Sequence, residues 1–166
     1  MKNIRLGMGL LALAVGLPAP AIGQEGPHPG LAAVLEKVQS LHDGAEIAVV
    51  VDGRLPTDPD RPGILVSESA NREFARLHEL PATTSDDLLI CPGTSQRGCH
   101  LRGDISVGVS FLVDRERSEE ADVLVMVQSE QLDLERIPIG VRVYRAVLRE
   151  MERGWEIVDF ELVWMS

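Results

Sequence analysis

The sequence of 166 residues sets 26 acidic against 16 basic side chains, a formal net charge of −10 at pH 7, with only 4% aromatic residues. Such an acidic chain is repelled by nucleic acid and anionic lipid, and it lacks the aromatic platforms on which single-stranded nucleic acid stacks. Two cysteines are too few for a disulfide-dense scaffold, and the length suits one ordinary domain with a core of its own.

The chain opens "MKNIRLGMGLLALAVGLPAPAIGQEG". Lys2 and Arg5 precede an uncharged, mostly apolar run from Leu6 to Leu17, and small residues follow Pro18. That order is expected of a secretory signal peptide over residues 1–23, with cleavage after Gly23 or Ala21. The apolar run is well short of the roughly 20 residues that span a bilayer, and no cysteine stands at the cleavage point to take a lipid. The expected product is exported to the periplasm or the extracellular space. It comprises residues 24–166 as a single domain, has no integral membrane segment, and carries a formal charge of −12 once Lys2 and Arg5 are gone.

Next, "LAAVLEKVQSLH" places Leu31, Val34, Leu35, Val38 and Leu41 on one helical face, and Asp43-Gly44 stops it. "AEIAVVVDG" reads as a short buried strand, and the dozen residues after it as surface loop. "SESANREFARLHEL" predicts a second helix capped by Ser67 or Ser69, with Ala70, Phe74 and Leu77 as its apolar stripe and Pro81 beyond its end. "DDLLIC" reads as a brief strand running into "CPGTSQRGC", which holds both cysteines.

Three chemistries are open to Cys91 and Cys99. In an oxidising compartment two cysteines of one domain usually pair, and the turn-forming interior lets the chain fold back. Zinc needs about four ligands at recognisable spacing, whereas His100 alone adjoins the pair. Redox pairs usually read C-x-x-C. The expectation is a structural disulfide between Cys91 and Cys99, with no metal and no cofactor. In "RGD" (Arg102-Gly103-Asp104), Gly103 is read as turning the chain into the next strand, not as part of an adhesion signal.

From Asp104 the hydrophobic period becomes two. "DISVGVSFLVDR" sets Ile105, Val107, Val109, Phe111 and Val113 on one face, and "ADVLVMVQS" is apolar on both faces, as an inner strand would be. "IGVRVYRAVLREM" changes phase after Val143 to Tyr144, Ala146 and Leu148, which predicts a β-bulge there. "WEIVDFELVWMS" sets Val158, Phe160, Leu162 and Trp164 on one face. The fold class expected is α+β, two N-terminal amphipathic helices packed on a bent antiparallel sheet of four to five strands.

The words "VRVYRAVLREMERGWEIVDFELVWMS" and "ISVGVSFLV" give the chain, over about residues 30–166, a resemblance to the NTF2-like, cystatin-like α+β group. It also resembles small uncharacterised bacterial secreted proteins with a strand-helix-cysteine order and a similar Trp-rich ending. That resemblance implies a fold shared by ketosteroid-isomerase-like and SnoaL-like enzymes and by many binding and dimerisation modules. An isomerase-like site needs a carboxylate base and an oxyanion donor facing each other in an apolar cavity. Tyr144, the sole tyrosine, and Asp159 are the candidates for that pair.

His28, His42, His78 and His100 are scattered, with no metal-binding spacing. The reading is an exported, disulfide-clipped, non-catalytic binding or interaction module. Its partner would be a small apolar ligand, an envelope protein or a second copy of the chain. The alternatives are an NTF2-like enzyme acting on a small apolar substrate and an envelope protein-binding factor or inhibitor.

Overall fold

The structure, a computed structural model, describes residues 26–55, 63–91, 99–130 and 139–165. The expected signal peptide and the interior of the cysteine loop lie outside the described residues.

Helix α1 (Leu31–Leu41) buries Leu31, Val34, Leu35 and Val38, the face read from the sequence, while Leu41 at its end is half exposed. It is followed by β1 (Ile47–Val50), buried throughout, then by β2 (Arg54–Leu55) and β3 (Ile64–Leu65), which pair with each other. Helix α2 (Glu68–Leu77) takes Ser67 as its cap, the Ser67 hydroxyl accepting the Ala70 N–H. Its buried face is Asn71, Phe74 and Ala75. The face is turned relative to the expected stripe, and Leu77 is exposed.

Then come β4 (Ala82–Thr83), a single-turn α3 (Ser85–Leu88), and the paired strands β5 (Leu89–Ile90) and β6 (His100–Leu101). Gly103 has φ +64°, and the chain turns there into the long meander, as expected. The meander consists of β7 (Val107–Glu116), β8 (Glu120–Glu130), β9 (Ile139–Met151) and β10 (Gly154–Met165).

The fold expectation is corrected by the sheet. It has six strands in the order β10-β9-β8-β7-β1-β4, and it is mixed: β1 runs parallel to both β7 and β4. Strand makes up 50% and helix 21% of the described chain, with three helices instead of two. Nor do the helices precede the sheet, because β1 lies between α1 and α2 in sequence and beside β7 in space.

The sheet is covered on both faces where it is widest. On the front, α1 and α2 close a core with Val107, Val109 and Phe111 of β7, Val123, Val125 and Val127 of β8, and Ala146 and Leu148 of β9. On the back, Leu55 and Val66 pack on Met126 and Val143, and Leu88 and Leu101 pack on Val50. Gly108 of β7 belongs to this back layer, where a Cβ would come within 2.6 Å of Leu88 Cδ2 and 3.0 Å of Val50 Cγ2.

The bulge expected in β9 is absent. β9 holds unbroken register with β8 from Ile139 to Arg149. Its apparent phase slip has another cause: Val143 points to the back core, while Ala146 and Leu148 point to the front one. The register shifts lie instead at Asp114 in β7 and at Val158 and Val163 in β10. They split the face predicted for β10, so that Trp155, Ile157 and Phe160 join the front core and Trp164 joins the back one.

Candidate functional site

Cys91 and Cys99 form a disulfide bond, their Cα atoms 4.1 Å apart. Cys91 follows β5 and Cys99 precedes β6, so the bond closes the open end of that two-stranded ladder. A disulfide is common in exported proteins.

Tyr144 and Asp159 are not brought together. Tyr144 stands opposite Leu162 and stacks on Phe160 with ring centroids 4.9 Å apart, on the front face under α1. Asp159 stands opposite Val147, whose odd place along β9 points to the back face, and it is exposed. The space between α1 and the sheet is occupied by the front core.

Open clefts lie at both ends of β7. One, about 420 Å³, lies where His42 and Asp43 end α1 and where Asp104, Ser106 and Ser129 surround the start of β7. Burial, reinforced by the Arg142 charge, holds the His42 imidazole below its ordinary value.

The other cleft, about 400 Å³, lies at the opposite end of β7, between the β7–β8 and β9–β10 turns and the start of α1. Its walls include His28, Glu116, Arg117, Glu150 and Trp155. The β7–β8 turn is closed by Arg117 N–H donating to Glu120 O at 2.7 Å. Glu150 is cross-strand partner to Trp155 at the β9–β10 turn, and its N–H donates to Glu119 O at 2.9 Å, which ties the two turns together.

His28 is the centre of this cleft. Although it lies three residues before α1, it is only 4% exposed. Its ring meets Trp155 edge-on, centroids 4.4 Å apart at 73°. The Gly30 N–H donates to His28 Nδ1 at 3.0 Å, which supplies a helix N-terminus with an acceptor where Gly30 offers no side-chain cap. A Cβ at Gly30 would come within 2.6 Å of Leu148 Cδ1 and 3.1 Å of His28 Nδ1, so a larger residue there makes Leu148 shift.

An acceptor at Nδ1 leaves the imidazole proton on Nε2. Among the described residues that atom is buried without a hydrogen-bond partner, and Glu116 Oε1 stands 3.9 Å from it, beyond hydrogen-bond range. Burial lowers the His28 pKa, and the charges of Glu116 and Glu150 only partly offset it. Gln128 Oε1, also buried without a partner among the described residues, lines neither cleft.

His42 and His78 do end their helices, as their positions suggested. The flanking prolines and glycines of His28 read as a lead-in, and nothing local in the sequence announces that Trp155 closes over it. Among the described residues no group of three or more His, Cys, Asp or Glu could hold a metal ion, and no helix is long and apolar enough to cross a membrane.

A third feature is the edge of the sheet. β10 is its terminal strand and, among the described residues, pairs on one side only, with β9. Val158 (46%), Leu162 (49%), Val163 (46%) and Met165 (60%) are exposed along it. Its charged residues are Glu156, Asp159 and Glu161, with no Lys or Arg from Gly154 to Met165.

Fold and surface together define an acidic, sheet-dominated domain with a disulfide clip, a polar cleft beside His28 and a long open edge among the described residues. No known protein family, no curated protein and no solved structure matches the chain, so the resemblance to NTF2-like domains rests on the sequence words alone.

Proposed function

We propose that the protein is an exported, non-catalytic interaction module that takes an extended, basic segment of another protein against β10. The observation that carries this reading is the open edge: twelve residues of strand, unpaired on one side among the described residues, with four exposed apolar side chains. Edge strands are ordinarily kept short or covered because their free N–H and C=O groups template further pairing. The opposite edge here follows that habit, as β4 has only two residues.

The charge along β10 selects the partner. A twofold pairing of two copies centred on Asp159 sets the two Asp159 side chains against each other. Shifting the centre by half a residue sets Glu156 against Glu161. Like charges directly opposite destabilise a strand pair, so the acids and the two bulges work against self-pairing while a strand bearing Lys or Arg is favoured. Main-chain hydrogen bonds would supply affinity and side chains on alternate positions specificity. Export rests on the order of residues 1–23 and accords with the disulfide.

The test is fluorescence anisotropy with a labelled dodecapeptide alternating lysine with threonine and valine, beside its glutamate counterpart. The lysine peptide is expected to bind, to weaken with added salt, and to lose at least about tenfold in affinity against a Glu156→Lys/Asp159→Lys variant. Equal binding of both peptides, or binding that the variant leaves intact, contradicts the reading.

A further inference from the structure

The His28 cleft lies on the front side of the turns and is independent of the β10 edge argument. Its chemistry is restrictive. Nε2–H can only donate, because Gly30 N–H holds the lone pair of Nδ1. Glu116 and Glu150 can only accept while ionised. The gap of 3.9 Å between Nε2 and Glu116 Oε1 is too long for a direct bond, and Nε2 is buried, so a third atom enters only when Glu116 turns outward, and it then sits about 2.8 Å from each. That atom must accept from the imidazole and donate to the carboxylate.

A metal ion needs a lone pair on Nε2, which the proton occupies. An ammonium group satisfies the carboxylates and leaves Nε2–H without an acceptor. A phosphate or carboxylate accepts from Nε2–H and meets two glutamates. A hydroxyl satisfies both sides. Glu116 has a half-exposed side chain and can turn to admit it.

From these relations we infer that the cleft is a binding site for a neutral saccharide residue, with one hydroxyl bridging His28 Nε2 and Glu116. The volume, about 400 Å³, exceeds the need of a single small alcohol. Further hydroxyls meet Glu150 as acceptor and Arg117 as donor on the same walls. Trp155 supplies an apolar ring against which the C–H face of a pyranose packs. The acidic walls set the selectivity, accepting neutral sugars and rejecting phosphorylated or uronic ones.

The experiment is a titration of the isotope-labelled protein carrying Trp164→Phe, so that Trp155 gives the one indole N–H signal. The probes are the methyl glycosides of glucose, galactose, mannose and N-acetylglucosamine. At least one is expected to shift the Trp155 indole and the His28 ring signals saturably. Glu116→Ala, a change at an exposed strand end that leaves the fold intact, is expected to weaken that binding at least about tenfold. Glucose 6-phosphate is expected to leave both signals unmoved. The inference is overturned if no glycoside moves them, since water then suffices as the bridge, or if choline or magnesium moves them where glycosides do not. The Glu156→Lys/Asp159→Lys variant keeps the sugar response, so the cleft and the edge fail or hold separately.

Discussion

Asn71 shows at the scale of one residue what a hydrophobic pattern conceals. The apolar positions of α2 suggested a stripe through Ala70, Phe74 and Leu77, and a polar residue was left out of it by construction. In the structure Asn71 is 2% exposed and serves as a surrogate sheet partner. Its Oδ1 accepts the Phe111 N–H at 2.9 Å, and its Nδ2 donates to the Phe111 carbonyl at 2.8 Å and to Ser67 O at 3.1 Å. Those bonds fix the face of α2, which could not be read without knowing that β7 runs beneath it. Asn71→Ala leaves two buried main-chain groups unsatisfied and is expected to cost about 2–3 kcal/mol in urea unfolding; a loss under about 0.5 kcal/mol would contradict the assignment. His28 makes a second residue-scale prediction. Burial holds its folded pKa below the ordinary 6.5, so the unfolded chain binds a proton that the folded chain resists, and His42 behaves alike. Stability is therefore full above about pH 6.5 and falls as the pH drops through that value toward the folded-state pKa values. Urea midpoints at about pH 7.5 and about pH 5.5 test this. The drop is expected in the native protein and to shrink in a His28→Gln/His42→Gln variant; a midpoint that rises on acidification would reverse the sign.

At the scale of elements, legibility followed cover. β7 and β8 read correctly because Val107, Val109 and Phe111 share one buried face and Val123, Val125 and Val127 continue it. β9 misled because it is covered on different faces at its two ends, by Val66 and Leu55 over Val143 and by α1 over Leu148. A sequence shows that change of cover as a change of phase, which is also what a bulge looks like. β2 to β6 are two-residue strands, too short to establish a period. The cysteine clip was legible because the turn residues and the expected signal peptide pointed the same way. The disulfide closes a loop of about nine residues, for which the chain-entropy estimate is roughly 2.5 kcal/mol. A Cys91→Ala/Cys99→Ala variant is expected to lose about that much and to keep the six-stranded sheet, whose main pairings lie elsewhere. Unfolding unchanged by the substitution, or a collapsed spectrum showing loss of the whole fold, would contradict a local clip.

At the scale of the molecule, the mixed sheet was the feature least accessible to sequence. A four-residue strand buried on both faces carries no alternation, and nothing in "IAVV" tells that it runs parallel to β7 from across the chain. That insertion moves the sheet's centre to β7 and β8 and leaves the last strand, β10, as the long exposed edge. The candidate pair Tyr144 and Asp159 dissolved for a related reason: facing depends on strand register, and the bulges of β10 change it. The interaction reading rests on this edge and is tested most directly by amide hydrogen exchange of β10, read residue by residue, in the isolated protein and with the lysine-bearing dodecapeptide. The account predicts a monomer in which the β10 amides facing away from β9 exchange freely and become protected when the peptide is added, with the protection spread along the strand at alternate residues. Outward β10 amides already protected in the protein alone, or protection by the peptide that falls elsewhere on the surface, would contradict it.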